Sequence, residues 1–191
     1  MRGRTSARWA IFIACFLAAL MPSAARAEGR NCATLLVASS VDASGISIAT
    51  PVELGCFATY AEALSAGSSG AIDVGATTTP DALTDAILAS STQALPLSSV
   101  LIGTEWAGLN YGGNSNSYFA SSTCSAGVTW QIADVGSAWD NTFSSGKGFG
   151  GCDTNKKFQN VNFGGSVLTC TPNCPNYGAL SNQVSSLRWK P

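Results

Sequence analysis

The stretch Trp106-Ala-Gly-Leu-Asn-Tyr111-Gly-Gly113 recurs 52 residues later as Phe158-Gln-Asn-Val-Asn-Phe163-Gly-Gly165. Each copy has an aromatic residue, four residues, a second aromatic residue, one further residue and a glycine. A second matched pair of segments, 138–145 and 179–186, is separated by 41 residues. Because 52 − 41 = 11, the first copy carries about eleven extra residues between its two motifs. The pattern predicts a tandem duplication, about 100–151 and 152–191, in which each unit buries its apolar face against its twin.

The composition of residues 100–191 predicts a mainly β structure. Short runs of aromatic and β-branched residues alternate there with Gly, Asn and Ser clusters, which is typical of a β-sandwich with frequent turns. In each copy the chain folds back at a hairpin, so we expect positive φ at Gly113 and Gly165. We expect the two aromatic residues to pack across each hairpin. A later serine hydroxyl, Ser144 or Ser185, is predicted to bond a backbone group of the hairpin.

Residues 28–99 differ in composition from residues 100–191, because they are rich in Ala, Ser and Thr and contain no Trp. Strands are predicted over 34–41 and 52–57. The Thr59–Glu62 capping box predicts a helix over Tyr60–Ser65. Thr79-Pro80-Asp81 predicts the start of a second helix that runs to about residue 90. We expect a small α+β segment, with a propeptide as the alternative.

Residues 1–27 are predicted to be a signal peptide. Three arginines precede the apolar run Trp9–Leu20, and Ala25-Arg-Ala27 is a small-residue cleavage site. A membrane anchor is the alternative, but twelve apolar residues fall short of the roughly 20 that a spanning helix needs. We therefore expect a secreted protein with no membrane span after cleavage.

The charge balance argues against a nucleic-acid partner. Removal of residues 1–27 leaves six basic residues against eleven acidic ones, a formal charge of −5. Nucleic-acid binding depends mainly on Lys and Arg contacts to phosphates. The Lys156-Lys157 pair is predicted to be a solvated strand end.

Six cysteines remain after signal cleavage, an even number that predicts disulfides in an exported chain. Six cysteines allow 15 pairings, and the sequence alone does not choose among them. Proximity along the chain favours Cys32–Cys56, Cys124–Cys152 and Cys170–Cys174. Zinc binding is the competing interpretation, which the lack of histidine and the single close Cys pair disfavour.

We predict that the protein is not an enzyme. The chain contains no histidine, which excludes a Ser–His–Asp triad and the commonest general base. Paired cysteines leave no thiolate nucleophile. The acidic residues Glu105, Asp134, Asp140 and Asp153 form no recognisable pair in the sequence, although distant carboxylates can meet in a fold.

The two linked motifs in each copy resemble the βγ-crystallin Greek-key motif. More narrowly, they resemble the secreted bacterial members that include metalloproteinase inhibitors. The likeness covers about residues 100–190. It implies a βγ-crystallin-like double Greek-key sandwich, preceded here by the small α+β N-terminal segment.

The resemblance also implies a calcium site, through the family pattern Asn/Asp-Asn/Asp-x-x-Ser/Thr-Ser. The first copy fits it throughout, whereas the second has serine at the first position. In the family each site borrows a first-position side chain from the other repeat. The residues implied are Asp140, Asn141, Thr142, Ser144, Asn182, Gln183 and Ser185. Asp140 would complete the site of the Gln183 carbonyl and Ser185, and with so few carboxylates the affinity would be weak.

Two functions remain open from the sequence. The first is a monomeric, non-catalytic extracellular domain with a structural or binding role, tuned by weak calcium binding. The second, which the bacterial branch implies, is an inhibitor of secreted peptidases. An inhibitor needs a rigid exposed loop, because rigidity lowers the ordering cost of binding. The candidate loop lies within residues 114–129 and is pinned by Cys124, but a plain surface loop is the alternative.

Overall fold

The computed structural model describes residues 30–41, 46–91 and 99–191. The predicted signal peptide, with its cleavage site, lies outside the described residues. The described part is mainly β, and its helices and strands are β1 Asn31–Val41, β2 Ile46–Phe57, α1 Tyr60–Gly67, α2 Asp85–Ser91, β3 Val100–Trp106, β4 Ser115–Ala120, β5 Thr129–Ile132, β6 Ser145–Gly148, β7 Thr154–Phe158, β8 Val167–Cys170 and β9 Ser186–Lys190.

The two repeats exchange one strand each. In the first repeat β3 lies between β4 and β6, and in the second β7 lies between β8 and β9, all antiparallel. β5 of the first repeat leaves its own strands and pairs with β9 of the second. The matching segment of the second repeat makes an antiparallel bridge from Cys174 to Gly146 in β6. This return of the fourth strand to the first gives two interlocked Greek keys.

The N-terminal hairpin joins the two repeats into one curled sheet. β1 pairs with β2, and each then pairs in parallel with one repeat, β1 with β4 and β2 with β5. The resulting strand order is β6-β3-β4-β1-β2-β5-β9-β7-β8. The predicted α+β segment therefore contributes two strands to the middle of the sheet.

The three disulfides favoured by proximity are present. Cys32–Cys56 joins directly opposed residues of β1 and β2. Cys124–Cys152 and Cys170–Cys174 each lie within one repeat. This confirms the predicted framework and leaves no free thiol among the described cysteines.

Helix α1 begins as the capping box predicts. The Thr59 side chain accepts a hydrogen bond from the Glu62 amide at 3.2 Å, and the Glu62 carboxylate accepts one from the Thr59 amide at 3.0 Å. Two of the four unpaired donors at this helix start are thereby satisfied.

The predicted start of the second helix at Thr79 is wrong, because α2 begins only at Asp85. The buried Lys147 ammonium of β6 donates to the carbonyls of Pro80 at 2.9 Å and Asp81 at 2.7 Å. These carbonyls point at the cation rather than along a helix. Thr84 caps α2 instead, with its hydroxyl 3.3 Å from the Ile87 amide.

The interior between the repeats is largely apolar. Large buried side chains from both repeats fill it: Ile102, Tyr118, Trp130, Ile132, Trp139, Phe143, Val184, Leu187 and Trp189. At the centre the Lys157 ammonium pairs with the Glu105 carboxylate, and both side chains are almost fully inaccessible. Glu105 and Lys157 are 52 residues apart, so they occupy equivalent positions in the two repeats.

The Glu105–Lys157 ion pair corrects the prediction that Lys156 and Lys157 are both solvated. The side chains of a strand alternate between its faces, so Lys156 faces outward while Lys157 faces the interior. The Tyr177 hydroxyl donates a further hydrogen bond to Glu105. Burial raises the pKa of the Glu105 carboxyl and lowers the pKa of the Lys157 ammonium, and the charge of each partner opposes the shift of the other.

Replacement of Gly103 by alanine tests this shared interior. A Cβ atom at Gly103 of β3 would collide with the Trp189 indole of β9 in the other repeat. We expect Gly103→Ala to lower the free energy of unfolding by about 1–3 kcal/mol. The exposed Gly75 is the control, because its Cβ would have no neighbour nearer than 3.9 Å. Equal denaturation midpoints for Gly103→Ala and Gly75→Ala would contradict the packing of β3 against β9.

Candidate metal site between the repeats

Each repeat contains a folded hairpin with the predicted geometry. Gly113 and Gly165 have φ of +76° and +75°, the left-handed region that costs glycine least. The aromatic rings pack edge to face across each hairpin: the centroids are 5.3 Å apart for Trp106 and Tyr111, and 5.5 Å apart in the second repeat. The glycines and the aromatic rings therefore have the backbone geometry and the packing expected from the sequence.

The serine that closes each hairpin is one residue later than predicted. The Ser145 hydroxyl accepts from the Tyr111 amide at 3.0 Å and donates to the Gly108 carbonyl at 2.6 Å. Ser186 does the same in the second repeat, with the Phe163 amide at 3.1 Å and the Asn160 carbonyl at 2.7 Å. The prediction of Ser144 or Ser185 for this role is wrong.

Ser144 and Ser185 instead face the other repeat. The Ser185 hydroxyl donates to Asp140 Oδ1 at 2.5 Å, which brings together the two side chains predicted to share a calcium site. The second carboxylate oxygen, Asp140 Oδ2, accepts from the Asn141 amide group at 2.9 Å. Both carboxylate oxygens are therefore oriented by neighbouring polar groups.

The second predicted site has a different composition. The Ser144 hydroxyl donates to Asn182 Oδ1 at 3.0 Å. Ser181, which replaces an acid or amide at the first position, lies 3.5 Å from the Asn176 side chain and takes no part in this contact. The Thr142 hydroxyl donates to the Trp139 carbonyl at 2.8 Å. This site therefore contains neutral oxygen atoms where the first has a carboxylate.

Backbone hydrogen bonds hold the two motifs together. The Asn141 amide donates to the Val184 carbonyl at 3.1 Å, and the equivalent Asn182 amide donates to the Phe143 carbonyl at 2.8 Å. Asn141 and Asn182 both have positive φ, 57° and 58°, which asparagine tolerates better than most residues. Each motif is thereby fixed against the other across the repeat interface.

The donor set suits a hard cation. Asp140 and Ser185 present oxygen atoms from two repeats at one point, and oxygen ligands are those that Ca²⁺ takes. Gln183 lies two residues before Ser185, and its side chain bonds the Gln159 amide group at 3.0 Å and the Ala179 carbonyl at 2.9 Å. Within residues 30–41, 46–91 and 99–191 there is no cluster of three or more His, Cys, Asp or Glu side chains.

The candidate inhibitory loop is shorter than the predicted range. Residues 115–120 form β4, whose side chains are all buried, so they are not an exposed loop. Residues 121–128 remain, with a single 3₁₀ turn at Cys124–Ala126 and the Cys124–Cys152 disulfide. Sequence reasoning missed β4 here because four of its six residues, Ser115, Asn116, Ser117 and Ala120, are not typical of a buried strand.

A comparison with solved structures finds several βγ-crystallin domains. A βγ-crystallin from an archaeon matches with 21% identity and a TM-score of 0.35, over 47% of this chain and 98% of that one. A βγ-crystallin domain from Clostridium beijerinckii matches with 21% identity and a TM-score of 0.36, over 47% and 97%. The two interlocked Greek keys, each with its folded hairpin, give the chain a βγ-crystallin-like fold. The metalloproteinase-inhibitor branch is not confirmed by these matches.

The N-terminal domain of protein S is similar to the same extent, with 22% identity, a TM-score of 0.35, and 46% of this chain and 93% of that one covered. No family model matches the chain, and no curated protein is significantly similar to it. No helix within the described ranges is both long and apolar enough to cross a membrane.

Loss of either closing serine should destabilise the βγ-crystallin-like fold. Ser145→Ala and Ser186→Ala each leave a backbone donor and a backbone acceptor of one hairpin without their partner. We expect each to lower the free energy of unfolding by about 1–3 kcal/mol in urea denaturation. Ser121→Ala, at an exposed position, should change it by less than about 0.5 kcal/mol. Equal free energies of unfolding for all three variants would show that Ser145 and Ser186 do not stabilise the hairpins.

Proposed function

We propose that this is a secreted, non-catalytic βγ-crystallin-like domain with a structural or binding role that binds Ca²⁺ weakly at one site between its repeats. The contact between Asp140 Oδ1 and the Ser185 hydroxyl supports it most directly. A carboxylate and a hydroxyl from different repeats converge there, as the family pattern requires. The Gln183 carbonyl is the third ligand that the pattern implies.

We favour one calcium site over two because only one of the two candidate sites contains a charged ligand. Ca²⁺ affinity depends on the number of charged ligands and on the rigidity of the site. The Asp140–Ser185 site has a carboxylate, whereas Ser144 meets the neutral amide of Asn182. We therefore expect a dissociation constant of about 10⁻⁴ to 10⁻³ M for the first site, the range of extracellular modules.

Calcium bound there would connect the two repeats. Because Asp140 and Ser185 belong to different repeats, an ion that both ligate stabilises only the folded, paired arrangement. A ligand at ten times its dissociation constant adds about 1.4 kcal/mol to the free energy of unfolding. The role is therefore mechanical: a rigid domain whose stability follows the calcium concentration outside the cell.

An extracellular location is compatible with the three disulfides, which persist in oxidising compartments. A non-catalytic role is consistent with a chain that has no histidine and whose described cysteines are all paired.

Calcium titration of the chelator-treated protein tests the site. We expect a dissociation constant of about 10⁻⁴ to 10⁻³ M by calorimetry. Saturating calcium should also raise the melting temperature by about 4 °C. Asp140→Ala should abolish both effects, because it removes the carboxylate of the site.

Asp153→Ala is the matched control, since Asp153 is an exposed carboxylate that lies outside both motifs. It changes the net charge equally and should leave the isotherm unaltered. No heat from the unmodified protein, or equal binding by Asp140→Ala, contradicts a calcium site at Asp140.

Peptidase inhibition is a second candidate, favoured by the segment 121–128, which the Cys124–Cys152 disulfide holds in place. Its test is titration of the full chain against a thermolysin-type metallopeptidase. The full chain is required because β1 and β2 lie in the middle of the sheet. Unchanged peptidase activity at micromolar protein excludes this target class.

A further inference from the structure

The two repeats differ in what covers their outer faces. The N-terminal segment lies on the first repeat, where the Tyr60 hydroxyl is 3.1 Å from the Thr104 hydroxyl. The outward aromatic side chains of this repeat pack with Leu64 of α1 in a separate buried cluster, which includes Trp106, Phe119 and Phe149. The outer face of the first repeat is therefore closed by the chain itself.

The equivalent face of the second repeat carries three basic side chains, Lys156, Arg188 and Lys190. Lys156 is 52 residues after Thr104, and Arg188 is 41 residues after Lys147, so the two faces correspond. Lys156 lies directly opposite Arg188 between β7 and β9, and Lys190 is two residues further along β9 on the same face. All three are partly exposed, whereas Lys147 is buried under the N-terminal segment.

No acidic side chain of the described residues pairs with these three cations. The ion pairs in the described ranges are Arg30–Glu53 and Glu105–Lys157. Like charges directly opposite each other on a sheet are destabilising. A chain that carries −5 after leader removal thus keeps three of its six basic residues together, at a cost to folding. A polyanion has the charge that complements such a face.

Arg188 is already held in place. Its Nε donates to Gln131 Oε1 at 2.8 Å, and its guanidinium lies 5.1 Å from the Phe163 ring and 5.5 Å from the Phe158 ring. These contacts restrict the side chain before any ligand arrives, which lowers the entropic cost of binding. The planar guanidinium also suits carboxylate or sulfate groups.

The shape of this face limits the classes of partner that it can bind. Phe158 is only 6% exposed and Phe163 is covered by the guanidinium, so neither ring offers a face for nucleic-acid bases to stack on. Covered rings also provide no aromatic wedge for a lipid bilayer. Cross-strand neighbours about 5 Å apart and same-face neighbours about 7 Å apart form a flat, regular array of cations.

We propose that the outer face of the second repeat binds a linear acidic polysaccharide, whose regularly spaced carboxylates or sulfates pair with Lys156, Arg188 and Lys190. The partly exposed Thr154 and the exposed Thr169, which lie opposite Lys190 and Lys156 in the sheet, are placed to bond the sugar hydroxyls. This site is independent of the calcium site, which lies on Asp140 and Ser185.

Polygalacturonate is the probe, in low salt with a chelator so that calcium does not bridge protein and polymer. We expect binding that falls as salt rises, and none to neutral dextran. Replacing all three cations by glutamine (K156Q, R188Q and K190Q together) should weaken binding about tenfold or more, since each exposed charge pair contributes modestly. Arg30→Gln, which removes one positive charge elsewhere, should leave binding unchanged.

Melting curves establish that the triple variant is folded. Should it fail to fold, the single variants Lys156→Gln and Lys190→Gln at partly exposed positions serve instead, each with a several-fold loss expected. The proposal is overturned by no binding of the unmodified protein to polygalacturonate, or by equal losses in the variants and in Arg30→Gln. Binding to anionic vesicles or to single-stranded DNA but not to the polysaccharide also overturns it, and assigns the face to that other partner.

Discussion

The rest of the structure depends on the buried ion pair between Glu105 and Lys157. Two charges taken out of water are tolerated only when each compensates the other, and the Tyr177 hydroxyl adds a further bond. Because the two residues hold equivalent positions in the repeats, the pair forms only when the repeats face each other in one register. An apolar interior alone discriminates less between registers, so we infer that the pair helps to bring Asp140 of one repeat against Ser185 of the other.

The N-terminal segment breaks the symmetry of the duplicated fold. Its hairpin joins β4 to β5, and the residues after the hairpin close the outer face of the first repeat, where Lys147 holds three carbonyls, those of Pro80, Asp81 and Leu83. Arg188, in the equivalent position, keeps a partly exposed guanidinium. The same residue position is thus structural in one repeat and available to a ligand in the other.

Internal repetition made much of this predictable, because two copies in register reveal which residues share a role. The hairpin aromatics, the positive-φ glycines and the capping box of α1 followed from local rules. Three features did not follow. The closing serine was misplaced because either residue of a Ser-Ser pair fits the motif, and the Glu105–Lys157 pair joins residues far apart in sequence. The placement of β1 and β2 inside the sheet depends on parallel pairings, which leave no turn signal in the sequence.

A double-mutant cycle on Glu105 and Lys157 tests the central pairing most directly. Glu105→Leu and Lys157→Met each leave one buried charge without its partner, and we expect each to lower the free energy of unfolding by about 3–5 kcal/mol. The double variant should be more stable than the sum of the two losses predicts, with a coupling of several kcal/mol. Additive losses, or a free energy of unfolding that either single change leaves intact, would contradict an ion pair at the centre of the fold.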